Sequence, residues 1–563
     1  MGSAIQSKSK LKTMIIGLDG ATFDLILPLI KRGKLPNMQK MMGNGVHGIL
    51  QSTIPSLSAP AWVAFMTGKN PGHYGTYHFR KININDYDNI YSQDLIDSSM
   101  FRGATFFDYL GQLGYRVGVM TVPVTYPPWE VNGFMVSGYP CPDPHENPNF
   151  AFPSELSRDL PENLNWTEKE SSDAIPKEEM RGARDPQDIL NGGLTMMSRR
   201  TAYTLKLMEQ LDCDVTILVW GAIDRAQHML WKYHDPGHVL HEPNNRFKTY
   251  IERLYCHADA LLGDIMTHVG QEAHFFIVSD HGFGPKQGSR FHLNAWLNQQ
   301  GYLKATLKAR LMNNPLTKTL KGAVLKFAAK LDNSGQKKIM KAKQTFNRGT
   351  IDFNETLAYR FPIDEQTEGV VINLKGRQPS GIVVEEEFES LRTELIERLG
   401  GVQDTINGRR VIRRCFRREE LYKGDKAPEA PDIIIVLDEE YFPGAGVAGA
   451  VFSPTPQIYL ETISGNHRPE GIFMAHGPDI STGKLQENAG IMDVAPTVLY
   501  ALGEKIPRDI EGKILRSVFS AERLKKAPEF VDRKVDMEFD IAADLSEAEQ
   551  ESMRTKLQDL GYL

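Results

Sequence analysis

Long apolar runs are missing from this chain: no window reaches the roughly eighteen consecutive apolar residues of a membrane span, and the start carries no apolar signal core. The cytosol is therefore the expected compartment, and MGSAIQSKSK (residues 1–10) reads as a disordered leader or a tag. Cysteine is equally scarce. Cys141, Cys213, Cys256 and Cys415 lie far apart with no CxxC pair, which fits a reduced protein and offers no thiolate metal site. Any metal must then be held by carboxylates and imidazoles. Nor is there an excess of one charge: 65 basic against 71 acidic residues give a formal net charge of −6, which selects neither an anionic nor a cationic partner.

What is present is a globular composition, 41% hydrophobic and 24% charged, spread over 563 residues. That length exceeds one ordinary core and predicts a large domain with an insertion. Short apolar runs at 11–17 (LKTMIIG), 115–124, 215–220 (VTILVW), 275–279 (FFIVS), 432–437 (DIIIVL) and 472–475 read as buried strands. Helical spacing falls between them, at 23–32, 35–44, 101–113, 178–210 and 491–502. The alternation predicts an α/β fold in which a mixed, mostly parallel sheet lies between helices. Residues 11–290 and 430–525 are expected to form this core, with DIIIVL returning to its sheet, and 291–429 an inserted α+β module. Residues 526–563 form a helical tail that docks or joins subunits. Proline is dense from 123 to about 165 (PVTYPPWEV, YPCPDPHENP), which predicts a long ordered loop suited to walling a cleft.

Residues 59–67 are apolar and of helical length, with Pro60 in the first turn and Gly68 just past the end. Ser58 then stands at the N-cap. Two readings compete there: a cap whose oxygen turns back onto free amides, and a nucleophile set where amides and the helix dipole favour a phosphate. Asp19 directly follows the first strand, beyond whose carboxyl end ligands collect in α/β sheets; a helix cap is the alternative. Asp224 and His228, four apart in GAIDRAQHMLW, share a helix face and can converge on one cation. Asp280 and His281 follow FFIVS on a tight turn, a pair harder to explain by packing. His467 lies in the loop SGNHRPEG, just ahead of a strand. Sheet topology brings such strand ends to one rim, where six oxygen and nitrogen ligands divide into two triads with positions left open.

Residues 304–348 hold twelve Lys or Arg and a single acid, Asp332. Leu316, Leu320, Phe327 and Leu331 fall on one helical face within it. This basic amphipathic pattern suits peripheral contact with an anionic membrane, a partner or an anionic substrate; a solvated face is the plainer alternative. Phe327 and Phe346 are too few aromatics to stack single strands, so nucleic acid is not expected. Homo-oligomerisation is left open.

Taken together and in order, GLDGATFDLI (17–26), TIPSLSAPAW (53–62) with TGKNPGHYG (67–75), DRAQH (224–228), SDHGFG (279–284), GNHRPEGIFMAHGP (465–478) and DVAPTVLYALG (493–503) resemble a known family. It is the alkaline phosphatase superfamily, specifically its type I phosphodiesterase/nucleotide pyrophosphatase branch and the group described as predicted phosphohydrolases or phosphomutases. The resemblance spans most of residues 12–515. It implies an alkaline-phosphatase-like core and two divalent metals, most often zinc, with manganese in mutase relatives. One would sit on Asp224, His228 and His467, the second on Asp19, Asp280 and His281, with Ser58 as nucleophile. The implied reaction is hydrolysis of a phosphodiester or phosphomonoester through a phosphoserine. Diesterases of this branch usually carry Thr at that place, so Ser58 leaves the ester class open. Lys69 and Arg225 are candidate substrate contacts.

Three other readings remain. A phosphomutase on a sugar phosphate is suggested by the placement of the insertion. A degenerate binding or scaffold protein is opposed by the full set of ligands and hydroxyl. A sulfatase needs x-P-x-R after its nucleophile, and here Ala59-Pro60-Ala61-Trp62 lacks the arginine.

Overall fold

The computed structural model describes residues 11–87, 91–142, 149–158, 185–270, 272–286, 288–312, 349–533 and 545–559. The leader, residues 178–184 of an expected helix, and the basic stretch beyond 312 with its Leu316, Leu320, Phe327 and Leu331 lie outside them.

The apolar runs meet in a ten-stranded sheet. Thr13–Leu18, buried throughout, lies in its middle, parallel to Val215–Trp220 on one side and to His274–Val278 on the other. Val117–Met120 and Gly133–Val136 continue the parallel order past Val215–Trp220. Past His274–Val278 comes Glu470–His476, antiparallel, with Val46–Gln51 paired to its outer side. The three central strands therefore end, and the antiparallel one begins, at the same rim. Their unbroken apolar character follows from cover on both faces.

Two groups of helices supply that cover. Pro186–Gln210, Ala222–His234 and Tyr250–Val269 pack on one another, with Pro36–Asn44 against the last. Ser58–Thr67 packs with Phe106–Gln112 and Val494–Leu502. Trp62, Phe65 and Phe106 stack edge to face at 5.3 and 5.7 Å within that second group. Trp62 reaches the middle strand only because residue 17 is glycine: a Cβ there would lie 2.4 Å from Trp62 Cη2.

The insertion departs from expectation. Ile433–Leu437 does not return to the central sheet but pairs with Thr367–Ile372 and Ile412–Arg417 in a four-stranded antiparallel sheet that Ala358–Pro362 completes. The strand is apolar because it is central to this second sheet. Helix Glu385–Gly400 packs against Ile412–Arg417, and the module has its own hydrophobic cluster. Asp432 anchors it: fully buried, its carboxylate accepts from Arg377 at 2.6 and 2.7 Å and from Arg418 at 3.1 Å.

The proline-rich stretch also differs. It contains the strands Gly133–Val136 and Ala151–Phe152, which extend one edge of the central sheet. It receives the terminal helix Glu547–Asp559. Met553 and Leu557 are buried in the core, Tyr126 bonds to Glu549, and Lys556 Nζ donates to Cys141 O at 3.0 Å. The tail thus docks on its own chain. The helix expected at 101–113 shortens to Phe106–Gln112, since Thr105 and Asp108 close a capping box at its start. No helix among the described residues is long and apolar enough to cross a membrane.

The Gly17 contact yields a stability prediction. Gly17→Ala forces Trp62 out of its place and is expected to cost about 1–3 kcal/mol by overpacking, read as a lower urea midpoint with an unchanged slope.

Candidate metal centre and nucleophile

Asp19 follows Thr13–Leu18 and is held by its amide, which donates to Trp220 O at 3.2 Å. Gly20 then turns the chain in the left-handed region (φ +70°), where a Cβ would come within 3.1 Å of Asp224. The turn points Gly20 N at Asp280 Oδ1, 3.3 Å away, and Ala21 N at Ser279 Oγ, 3.0 Å away. Ser279 Oγ in turn donates to His281 O. Two strand ends are thereby laced together by short polar side chains and amides. Gln227, on the same helix as Asp224 and His228, donates to Gly20 O at 2.7 Å and accepts from Tyr255 at 3.0 Å.

Six side chains converge on this rim, all buried: Asp19, Asp224, His228, Asp280, His281 and His467. Donor atoms of Asp224, His228 and His467 lie within 4.8 Å of one another, and so do those of Asp19, Asp224 and His281. Asp224 therefore faces both groups. Asp280 Oδ2 stands 3.2 Å from His281 Nε2. Each imidazole is oriented by a backbone carbonyl: His281 Nδ1 by Gly282 O at 3.1 Å, His467 Nδ1 by Ser56 O at 2.9 Å and His228 Nδ1 by Gly465 O at 3.2 Å. A carbonyl only accepts, so each Nδ1 carries the proton and each Nε2 offers a lone pair inward.

This donor set fits a cation. His228 Nε2 and His467 Nε2 approach to 2.9 Å, lone pair toward lone pair, which a cation or an added proton between them relieves. Asp19 Oδ1 and Asp280 Oδ2 are buried and make no hydrogen bond. Burial, with Asp280 and Asp224 beside it, pushes the Asp19 carboxyl well above its ordinary range; burial and Asp224 raise Asp280. Burial alone would raise Asp224 too, but His228, His467 and His281 hold it low. Burial also lowers His228 and His467, and brings His281 down to about 4. Neutral imidazoles beside Asp19 and Asp280, two carboxylates that resist ionising, are a set prepared for a positive charge.

Ser58 is the first residue of its helix, not the cap. Leu57 holds the cap position and has no side-chain oxygen to offer. The Ser58 hydroxyl is consequently not turned back onto the helix; Oγ lies 3.3 Å from His281 Nε2, with the residue buried. Gly68 (φ +66°) closes the other end with its amide on Ala64 O. That helix also carries a residue the sequence did not single out: Trp62 Nε1 donates to Asp19 Oδ2 at 3.2 Å. Its position four residues after Ser58, on the same helical face, was the available signal.

The two candidate substrate contacts fare differently. Lys69 lies past the far end of the ten-residue helix, about 15 Å from Ser58 at the usual rise, and pairs with Asp509 at 2.8 Å. It is not brought to the site. Arg225 adjoins Asp224, half-buried, and its charge lies close enough to Arg200 to be felt there. Beside the cluster opens a cleft of about 180 Å³, lined by Ser56, Leu57, His78, residues 362–366 and 463, Asn466, His228 and His467. Its outer wall is a hairpin of the insertion, a module whose placement in the sequence suggested a part in substrate binding without naming these residues.

The family model for type I phosphodiesterase/nucleotide pyrophosphatase matches residues 13–467. Among solved structures, phosphonoacetate hydrolase from Sinorhizobium meliloti 1021, in complex with phosphonoformate, is 16% identical with a TM-score of 0.46, over 88% of this chain and 95% of that one. Murine ectonucleotide pyrophosphatase/phosphodiesterase 5, in an inactive form with AMP, is 13% identical with a TM-score of 0.47, over 91% and 100%. Its human counterpart is 14% identical with a TM-score of 0.45 over the same shares. No curated protein matches the sequence. The matched residues take in the central strands, Ser58 and all six clustered side chains, and the chain belongs to the type I phosphodiesterase/nucleotide pyrophosphatase family, hydrolases of the alkaline phosphatase superfamily.

Proposed function

We propose that this phosphoester hydrolase attacks phosphorus with Ser58 Oγ and passes through a phosphoserine, which water then hydrolyses. Asp224, His228 and His467 would hold one divalent cation, and Asp19, Asp280 and His281 a second; imidazole and carboxylate ligands suit zinc and manganese alike, and zinc is taken as the ion because the resembled family most often uses it. When bound, such a pair neutralises charge on the phosphoryl oxygens and favours the ionised form of a neighbouring hydroxyl.

The chain's own residues do the rest. The uncapped start of Ser58–Thr67 directs its first amides and the positive end of its dipole toward the phosphate. Trp62 fixes the Asp19 carboxylate through Oδ2 and leaves Oδ1 turned to the cluster. Ser56 O fixes the His467 ring. Burial of Ser58, Asp280 and His281 keeps bulk water from the attacking oxygen. The observation that carries the reading is the Ser58 hydroxyl: freed from capping and 3.3 Å from His281 Nε2, it faces the cluster.

Three outcomes are expected. Ser58→Ala lowers kcat for both bis-p-nitrophenyl phosphate and p-nitrophenyl phosphate by about 10³-fold or more, and acid-quenched wild type carries phosphate on Ser58 by mass spectrometry; unaltered turnover in the variant removes the nucleophile. Asp280→Asn has opposite effects on stability in the two metal states. Without metal it relieves buried repulsion and raises Tm by roughly 2 °C, as about 1 kcal/mol does in a chain of this size; with saturating zinc it lowers Tm relative to wild type. A shift of one sign in both states contradicts a cation there. Trp62→Phe weakens zinc binding by about 10–100-fold, the usual cost of losing a ligand's supporting hydrogen bond, as measured by competition with a chromogenic chelator.

A further inference from the structure

The cleft beside the cluster is walled on its outer side by the hairpin that joins Ala358–Pro362 to Thr367–Ile372. Asp364 fixes the tip of that hairpin: its Oδ1 accepts from the amides of Gln366, at 2.6 Å, and Thr367. Such an Asx turn is a rigid mount. On it stand two side chains with unmet hydrogen bonds, Glu365 Oε2 and Gln366 Nε2, both buried atoms. Although the Glu365 side chain is 45% exposed overall, its Oε1 is taken by Lys286, itself buried, and Oε2 is the oxygen left over. Across the cleft Asn466, 3% exposed, likewise has an unbonded Nδ2. Asn466 precedes His467 in the strand Gly465–Arg468, so it sits one residue from the cluster.

Three unmet polar groups around one cavity are a recognition pattern, because leaving each buried and unpaired costs about 1–3 kcal/mol. Two donors and one acceptor suit hydroxyl groups, each of which donates once and accepts twice. Turning either amide over exchanges donor for acceptor in the same place, and a hydroxyl meets both. The pattern does not suit a charged group. Among the described residues, no Lys or Arg lines the cleft to meet a second phosphate, while Asp364 and Glu365 would repel one. Nor does the cleft invite an ammonium, since Lys286 already balances Glu365. Among the described residues, no Phe, Tyr or Trp lines it to stack a nucleobase. Its volume of about 180 Å³ gives room for a small polyol.

We infer that the ester cleaved by this site has an uncharged, polyhydroxylated leaving group, a glyceryl or glycosyl alcohol, held by Gln366, Glu365 and Asn466. The inference rests on the reading of Ser58 as nucleophile. It makes Gln366 and Glu365 specificity-determining residues contributed by the insertion.

The test compares kcat/KM of the zinc-loaded protein for glycerol 3-phosphate, glucose 1-phosphate and propyl phosphate, and for the methyl diester of each. The glyceryl or the glucosyl ester is expected to exceed the propyl ester by tenfold or more, and whichever does names the alcohol. Gln366→Ala and Glu365→Ala should each cut that ratio by about tenfold, the effect of one lost hydrogen bond. A merely structural role would lower all three esters together and leave the ratio where it was. A wild-type ratio near one, or a ratio that survives both substitutions, overturns the inference while Ser58 chemistry stands. Wild type inert toward every ester, bis-p-nitrophenyl phosphate included, overturns the Ser58 reading and this inference with it.

Discussion

Three carboxylates and three imidazoles buried at one sheet rim form an arrangement that the polypeptide alone does not favour. Removing a carboxylate from water is costly, and placing two more beside it raises the cost further. The upward pressure on Asp19 and Asp280 and the downward pressure on the histidines are the local record of that tension. A folded chain keeps such a cluster only when something positive offsets it. The rest of the structure reads as the scaffold that tolerates the strain: parallel strands that end together, a left-handed Gly20 that packs against Asp224, carbonyls that hold each ring, and an indole that holds one carboxylate.

The same constraint explains Ser58. A serine at a helix start ordinarily caps, which would turn its oxygen away from the rim. Moving it one position into the helix, behind a leucine cap, removes that option and leaves the hydroxyl facing His281. The helix forgoes a capping bond, and the first amides remain available to an anion. Pro60 in the first turn is compatible with this, because it has no amide to leave unsatisfied.

How much of this the sequence revealed follows from where each signal is stored. The strands of the sheet were legible because burial on both faces writes an unbroken apolar run; Asp19, Asp224, Asp280, His281 and His467 stood out by lying near the ends of such runs, and His228 by sharing a helix face with Asp224. Pairing partners were not. Ile433–Leu437 is as apolar as any strand of the central sheet, yet it lies in the insertion's own sheet, since hydrophobicity records burial and not the identity of the neighbour. The proline-rich stretch misled for a related reason: Gly133–Val136 contains no proline, and local composition around it masked a four-residue strand. Lys69 looked available beside Ser58 in the sequence, but a helix between them carries it to the opposite end, where Asp509 neutralises it. Trp62 was not singled out in the sequence, because its ring packs in the core and only the indole nitrogen belongs to the site.

Division of labour between the two sheets accounts for the position of the cleft. The central sheet fixes the cluster by backbone geometry that tolerates little change, as the contacts at Gly17 and Gly20 indicate. The insertion has its own core and its own buried ion pairs at Asp432, so its hairpin can be rigid without sharing the strain of the rim. One carboxylate, Asp364, sets the tip, and one ion pair, Lys286 with Glu365, ties that tip to the segment just after His281. A wall built on a separate framework and attached through a few side chains can alter its polar groups without disturbing the six below it. Selectivity for the alcohol and the chemistry at phosphorus are thus carried by different parts of the chain that meet across the cleft.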